Sequence, residues 1–306
     1  MIGSRRDRLA IVQFIHPGGE HDDVNADGWC EWTGAESTAS HRSTFAHRRK
    51  FLIAEARHSS ASSEHRGIVG LWGEWEAPSR AVMVRRHRLG NLPRFHHAAA
   101  FRAPRSYEGL ADTDPFVFGG TFLYSGCQQH TCHARAEGAV ETFLRRLKRG
   151  SLILFGSNVG ERFVMDTAFV VADHVDYERG DHLGLVGRVP NEYHHVTLGP
   201  QARGNASVDS FRLYFGATRD DPIDGAFSFA PCRPSNGRAT DFERPTIALD
   251  GIINHRLKQG KKMTEANEAM IAEAWRAVRD QVLSRGLNLA HEVRLAQASV
   301  DAEAAS

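Results

Sequence analysis

The sequence predicts an α+β protein built on a mostly antiparallel, barrel-like sheet and closed by a long C-terminal helix. Three observations carry that expectation: a strand-turn-strand signal in residues 152–171, two aromatic-rich strand signals at 67–77 and 116–124, and a helical period over 263–284. Two regions are expected, a barrel-like α+β domain over 1–255 and a helical segment over 256–306 packed on it.

The segment 141–175 is the clearest architectural signal. Glu141 to Arg149 reads as a short basic helix ended by Gly150, Leu152 to Phe155 as a buried strand, Gly156 to Asn158 as a tight turn, and Arg162 to Val171 as a second strand. Within that strand Asp166 shares a face, by period two, with Val164, Ala168 and Val170. A carboxylate among apolar neighbours is costly unless it is bonded or borders a cavity. It is either a tie to a neighbouring backbone amide or a pocket acid.

Upstream, Leu9 to Ile15 is a short apolar run stopped by His16-Pro17-Gly18-Gly19, as a buried first strand would be. A basic stretch, His41 to Lys50, leads into the apolar Phe51 to Ala54. Along 67–77 side chains alternate, so Val69, Leu71 and Trp75 share one face while Trp72, Glu74 and Glu76 share the other. An aromatic beside two acids is an unusual mixture for a merely solvated face. Further on, Phe116, Phe118, Phe122 and Tyr124 fall on one strand face, with Gly119 and Gly120 marking a bulge or a close backbone approach. Beyond 175 the signals weaken: 210–217 and 226–230 are strand candidates, and 231–244 has no period. The helical region 263–284 brings Met270, Ala274, Val278 and Val282 together with Trp275, takes Thr264 as its N-cap and stops at Gly286; a second short helix is expected over 289–297.

Composition limits the function classes. With 38 basic and 37 acidic residues the formal net charge is +1, so any surface for a polyanion must be a local patch. Four cysteines in 306 residues, and a start Met1-Ile-Gly-Ser-Arg-Arg unlike a secretory leader, lead us to expect a reducing cytoplasm. No apolar run reaches the roughly 20 residues of a membrane-spanning helix, and no membrane partner is expected. No P-loop, no G-x-G-x-x-G between strand and helix and no G-x-S-x-G elbow occurs, so nucleotide hydrolysis and dehydrogenase chemistry rank low.

The helix, Arg149-Gly150 turn and strand pair of 141–171 resemble an element of the PUA-like barrels, which include the ASCH and EVE families. That resemblance implies recognition of RNA or of modified DNA, often with a base extruded into an aromatic pocket, and hence a nucleic acid or nucleotide as partner. Such a pocket needs flat faces to stack on a base and polar groups for its edge. Trp72, Glu74, Trp75, Glu76, Phe118 and Tyr124 are the candidates, with Arg42, Arg48, Arg49 and Lys50, or Arg85, Arg86 and Arg88, for phosphates.

The alternative is a metal-dependent enzyme. Cys127, His130, Cys132 and His133 offer zinc-type donors, although C-x2-H-x-C-H matches no standard paired knuckle. His16, His21, Asp22 and Asp23, with His41 or His47, offer a second set for zinc or iron. His16-Pro17-Gly18-Gly19-Glu20 looks like the H-P-D-D-E start of zinc-dependent deacetylases that act on N-acetylglucosaminyl substrates. Gly18 and Gly19 stand where that motif has its aspartates, so a metal ligand and a general base are missing.

Overall fold

The computed structural model describes residues 6–15, 19–20, 48–77, 79–87, 89–101, 113–131, 140–204, 208–235 and 240–297. The strands in chain order are β1 (Ala10–Ile15), β2 (Gly19–Glu20), β3 (Arg48–Ser59), β4 (Glu64–Glu74), β5 (Ser79–Met83), β6 (Phe95–Phe101), β7 (Leu123–Ser125) and β8 (His130–Thr131). They continue with β9 (Val140–Glu141), β10 (Leu152–Val159), β11 (Arg162–Glu178), β12 (Ser210–Gly216), β13 (Ala230–Pro234), β14 (Gly260–Glu265), β15 (Asn288–Arg294) and β16 (Ala296–Gln297). The α-helices are α1 (Asn191–Tyr193), α2 (Gly199–Gly204) and α3 (Glu268–Leu283).

Two mixed sheets replace the expected antiparallel barrel. The first runs β14-β1-β10-β11-β12-β7, with β1 parallel to β10 and every other pair antiparallel. The second runs β15-β13-β4-β3-β6-β16, with β5 on β6, β2 on β3 and an additional β15–β3 pairing. Parallel pairs β1–β10, β3–β6 and β16–β6 cannot come from hairpins and need crossovers, a register that local sequence patterns do not display.

The expected long C-terminal helix is also absent. The longest helix among the described residues, α3, has 16 residues and lies between strands: Met263 and Thr264 belong to β14, which edges the first sheet against β1, and the stretch 289–297 carries β15 and β16 instead of a second helix. The N-cap is accordingly Asn267, whose side chain accepts a hydrogen bond from the Met270 amide at 2.9 Å. The helix buries Ile271, Ala274, Trp275, Val278 and Val282, and the Trp275 indole donates to the Phe227 carbonyl at 2.9 Å.

Two local differences shape the interior. Gly156 does not turn the chain; β10 runs on to Val159 and reverses at Gly160 and Glu161, both at φ +57°. Nor is 116–124 one strand: Phe116 pairs with Leu123 across a reversal in which Gly119 has φ +94°, so the four rings come from two short arms. They are nonetheless all buried.

Apolar side chains form two cores. Ala10, Val12, Phe14, Leu71, Trp75 and Phe118 lie in one; Ile11, Ile15, Phe51, Trp72, Met165 and Trp275 lie in the other. Alternate residues of β1 and β3 thus enter different cores, which is why their sequences read as continuous apolar runs. Residues 240–247 clasp the sheets: the Arg233 guanidinium donates to the Asp241 carbonyl at 2.9 Å, the Met165 amide to the Pro245 carbonyl at 2.9 Å, and the Ile247 amide to the Phe163 carbonyl at 3.2 Å.

Candidate site: a buried charge cluster between the sheets

Where the clasp passes the end of β4, three charged side chains meet out of contact with water. Arg49 comes from β3, Asp166 from β11 and Arg244 from the clasp, with side chains 2%, 4% and 1% exposed. Arg49 Nε lies 2.9 Å from Asp166 Oδ2, and Arg244 Nη1 lies 3.5 Å from Asp166 Oδ1. Both guanidiniums also donate to Ser157 Oγ, Arg244 at 3.2 Å, and Arg244 Nη2 donates to Asn91 Oδ1 at 2.9 Å.

A bulge aims Asp166. Across the β10–β11 pair, Phe155 faces Thr167 and Gly156 faces Met165, so Asp166 is the extra residue. Bulges bend a strand and redirect the bulged side chain. The step also shifts the phase of β11, placing Ala168 and Val170 in the same core as Phe163 and Met165. Strict period two, which groups Asp166 with Val164, Ala168 and Val170, therefore fails there. Opposite the bulge Gly156 is required, because a Cβ would sit 2.1 Å from the Val164 carbonyl oxygen.

Trp72 forms one wall. Its indole donates to the Phe242 carbonyl at 3.0 Å, Phe51 meets it edge-on at 5.4 Å, and the Arg244 guanidinium carbon lies 4.8 Å from its ring centroid. A guanidinium over an indole is a favourable cation–π contact. Glu74, paired across the strands with Arg49, is buried as well. The cluster nonetheless has unmet acceptor capacity: neither oxygen of Asp166 receives a well-aligned hydrogen bond among the described residues. Buried polar atoms in that condition are uncommon and call for an explanation.

The remaining residues expected at an aromatic and acidic pocket do not join it. Trp75 and Phe118 pack at 5.0 Å in the other core, and Tyr124 is enclosed with Phe14 and Phe155, its hydroxyl donating to the Cys127 carbonyl at 2.6 Å. Glu76 is buried beside Thr113, whose Oγ1 accepts from the Glu76 amide at 3.3 Å. A sheet separates Trp72 from Trp75, so no single cavity takes both rings. Arg48 lies in β3 with its side chain outside the described residues, as do His16, His21, Asp22, Asp23, His41, His47, Cys132 and His133 entire.

Neither Arg49 nor Lys50 is an exposed phosphate contact. Lys50 enters the opposite core, where Nζ donates to the Ala77 carbonyl at 2.9 Å and to Ser79 Oγ at 3.0 Å, and Ser79 Oγ meets His97 Nδ1 at 3.0 Å. Arg85 is bonded to Asp241, and His96 Nε2 is 3.5 Å from the same carboxylate. Burial raises the Asp241 pKa, but the Arg85 hydrogen bond and charge together with the neighbouring His96 outweigh it and hold the group below the usual carboxylate range. Of the expected metal donors, Cys127 is buried and His130 half-buried; among the described residues no group of three His, Cys, Asp or Glu is placed to hold an ion.

Sequence reasoning singled out Trp72, Glu74, Arg49 and Asp166 but missed Ser157, Asn91 and Arg244. The clasp has no period, and nothing local marks Arg244. No protein-family model matches the chain, and there is no significant match among curated proteins or among solved structures. Among the described residues no helix is long and apolar enough to cross a membrane.

Proposed function

We propose that this chain recognises a nucleotide or a nucleic acid, engaged where the clasp crosses the Trp72 strand. The observation that carries the reading is the Asp166 carboxylate, held between two water-excluded guanidiniums with acceptor capacity unmet on both oxygens, beside an indole face. Guanidiniums suit phosphate, an indole suits a base plane, and a carboxylate accepts from the N–H groups of a base edge. A cavity of about 380 Å³ is walled by Arg233, Asp241, Phe242, Glu243 and Arg285, and Phe242, whose carbonyl accepts from the Trp72 indole, links it to the cluster. That volume is in the small-ligand range of roughly 300–1,000 Å³. Arg233 lies 5.7 Å from the Phe242 ring centroid, a second cation on an aromatic face.

In this arrangement the phosphate meets Arg233 and Arg285 at the cavity, and the base reaches Trp72 when Arg244 withdraws from the ring. The test is fluorescence anisotropy of the whole protein with labelled single-stranded RNA, single-stranded DNA and duplex DNA, alongside competition by nucleoside monophosphates. Binding should weaken as salt rises from 50 to 200 mM, as phosphate contacts require. Arg233→Gln and Arg285→Gln should each weaken it roughly tenfold when measured well below the melting transition, which each lowers only by the loss of one bond to the clasp, to the Asp241 and Thr246 carbonyls. Absence of binding at low salt, or binding indifferent to both substitutions, overturns the proposal.

A further inference from the structure

A second cavity, of about 290 Å³, lies between the start of the β3–β4 turn, the 219–227 loop and α3. Phe227 and Trp275 form its floor, their rings 5.1 Å apart and tilted by 59°, and Leu283 and Leu289 extend the apolar surface. Each aromatic carries its own guanidinium: Arg219 lies 5.1 Å from the Phe227 centroid and Arg279 lies 5.5 Å from the Trp275 centroid. Ser59 and Ser60 supply hydroxyls at the edge.

The charges around this cavity are unevenly matched. Arg279 is held by Asp280, with Nε at 2.8 Å and Nη2 at 2.7 Å from Oδ1, whereas Arg219 has no hydrogen bond or ion pair among the described residues. The neighbouring Asp220 is already engaged by Arg57 at 2.9 and 3.1 Å. Arg219, Arg279 and Asp280 therefore leave one positive charge at the opening. His291, 5.8 Å from the Phe227 ring behind the floor, adds none at neutral pH, since burial pushes its pKa down to about 4. Stacked on the Phe227 ring, Arg219 keeps its N–H edge for an oxyanion, and Arg279 offers the part of its fork that Asp280 does not hold.

We infer that this cavity binds a compact organic anion, a phosphomonoester or carboxylate, with its apolar body on Phe227 and Trp275 and its oxyanion between Arg219 and Arg279. The size suits one ring and its head group, at the small end of ligand pockets. The site is separate from the Asp166 cluster, and neither inference depends on the other.

Phenyl phosphate and benzoate are the probes, with benzyl alcohol as neutral control and inorganic phosphate as the head group alone. Binding to the whole protein is followed by isothermal titration calorimetry and by tryptophan emission. At least one aromatic anion should bind saturably, and which of the two binds more tightly assigns the head group. Arg219→Gln and Arg279→Gln should each weaken binding roughly tenfold at unchanged melting temperature. Trp275→Phe should abolish the emission change. The inference is overturned if neither anion binds, if benzyl alcohol binds equally well, or if the double arginine variant binds like the wild type.

Discussion

Arg49 and Arg57 stand on the same strand, and their surroundings are opposite. Arg57, 22% exposed, is one cation among three carboxylates: Glu64 at 2.7 Å, Asp220 at 2.9 Å and Glu292 at 3.3 Å. Hydrogen bonds that it donates to Asp220 and then to Glu64 hold its pKa above the ordinary arginine value. Arg49, 2% exposed, shares one carboxylate with a second cation. At the wet end of β3 solvent screens each pair, and the cluster forms without special backbone geometry. At the dry end the same guanidinium requires a bulge, a glycine opposite it and a clasp from a distant segment. That expense, where apolar side chains would fill the space as well, is the reason to look for function there.

The contrast can be broken by substitution. Asp166→Ala leaves two buried guanidiniums without their carboxylate and should lower stability by about 3–5 kcal/mol in urea titrations. If its effect is as small as that of Asp220→Ala, burial is not what separates the two clusters. Replacing Arg49, Asp166 and Arg244 together by apolar residues of similar volume should recover most of the loss while removing ligand binding; retained binding would place the ligand elsewhere.

Gly156→Ala should come next, at about 1–3 kcal/mol, because the added Cβ drives against the Val164 carbonyl oxygen and loosens the bulge. An unchanged urea midpoint would mean that the bulge tolerates a side chain.

The wet end carries a pH dependence. Burial lowers the His291 pKa to about 4 from an ordinary value of 6.5, with Glu64 at 3.9 Å offsetting part of the effect. Between those two values the unfolded chain takes up a proton that the folded ring refuses. Stability therefore falls as pH drops from about 6.5 towards 4, by on the order of 2 kcal/mol. His291→Asn should flatten that part of the stability–pH curve; an unchanged slope assigns it to the other histidines.

The smallest effect is expected at Arg57 itself. Arg57→Ala should cost about 1 kcal/mol or less and lose most of that at high salt. A larger, salt-insensitive loss would make this cluster resemble the buried one.

Asp166 illustrates how far the residues alone can be read. A carboxylate inside Arg-Phe-Val-Met-Asp-Thr-Ala-Phe-Val-Val cannot be accidental, and that much is visible in the chain. Its partners are not, since Arg49 and Arg244 arrive from positions far away in sequence. Trp72 and Trp75 teach the same point from the other side: alternation assigns them to different faces, but only the packing shows that both faces are covered. The α3 period was legible, while β15 was not, because Asn288 to Arg294 is a strand through its pairing with β3 and β13.

Local chemistry was enough to determine that this is a chain of many apolar strands with an amphipathic helix somewhere within 263–284, an aromatic beside acids near residue 72 and a misfit carboxylate at 166. The tertiary structure alone decided that the strands form two mixed sheets, that the last strand follows the helix, and that two arginines close on Asp166. Periodicity reports which face a residue presents to its neighbours. Parallel pairing, bulge phase and the convergence of charges depend on contacts between segments far apart in sequence, which no local pattern encodes.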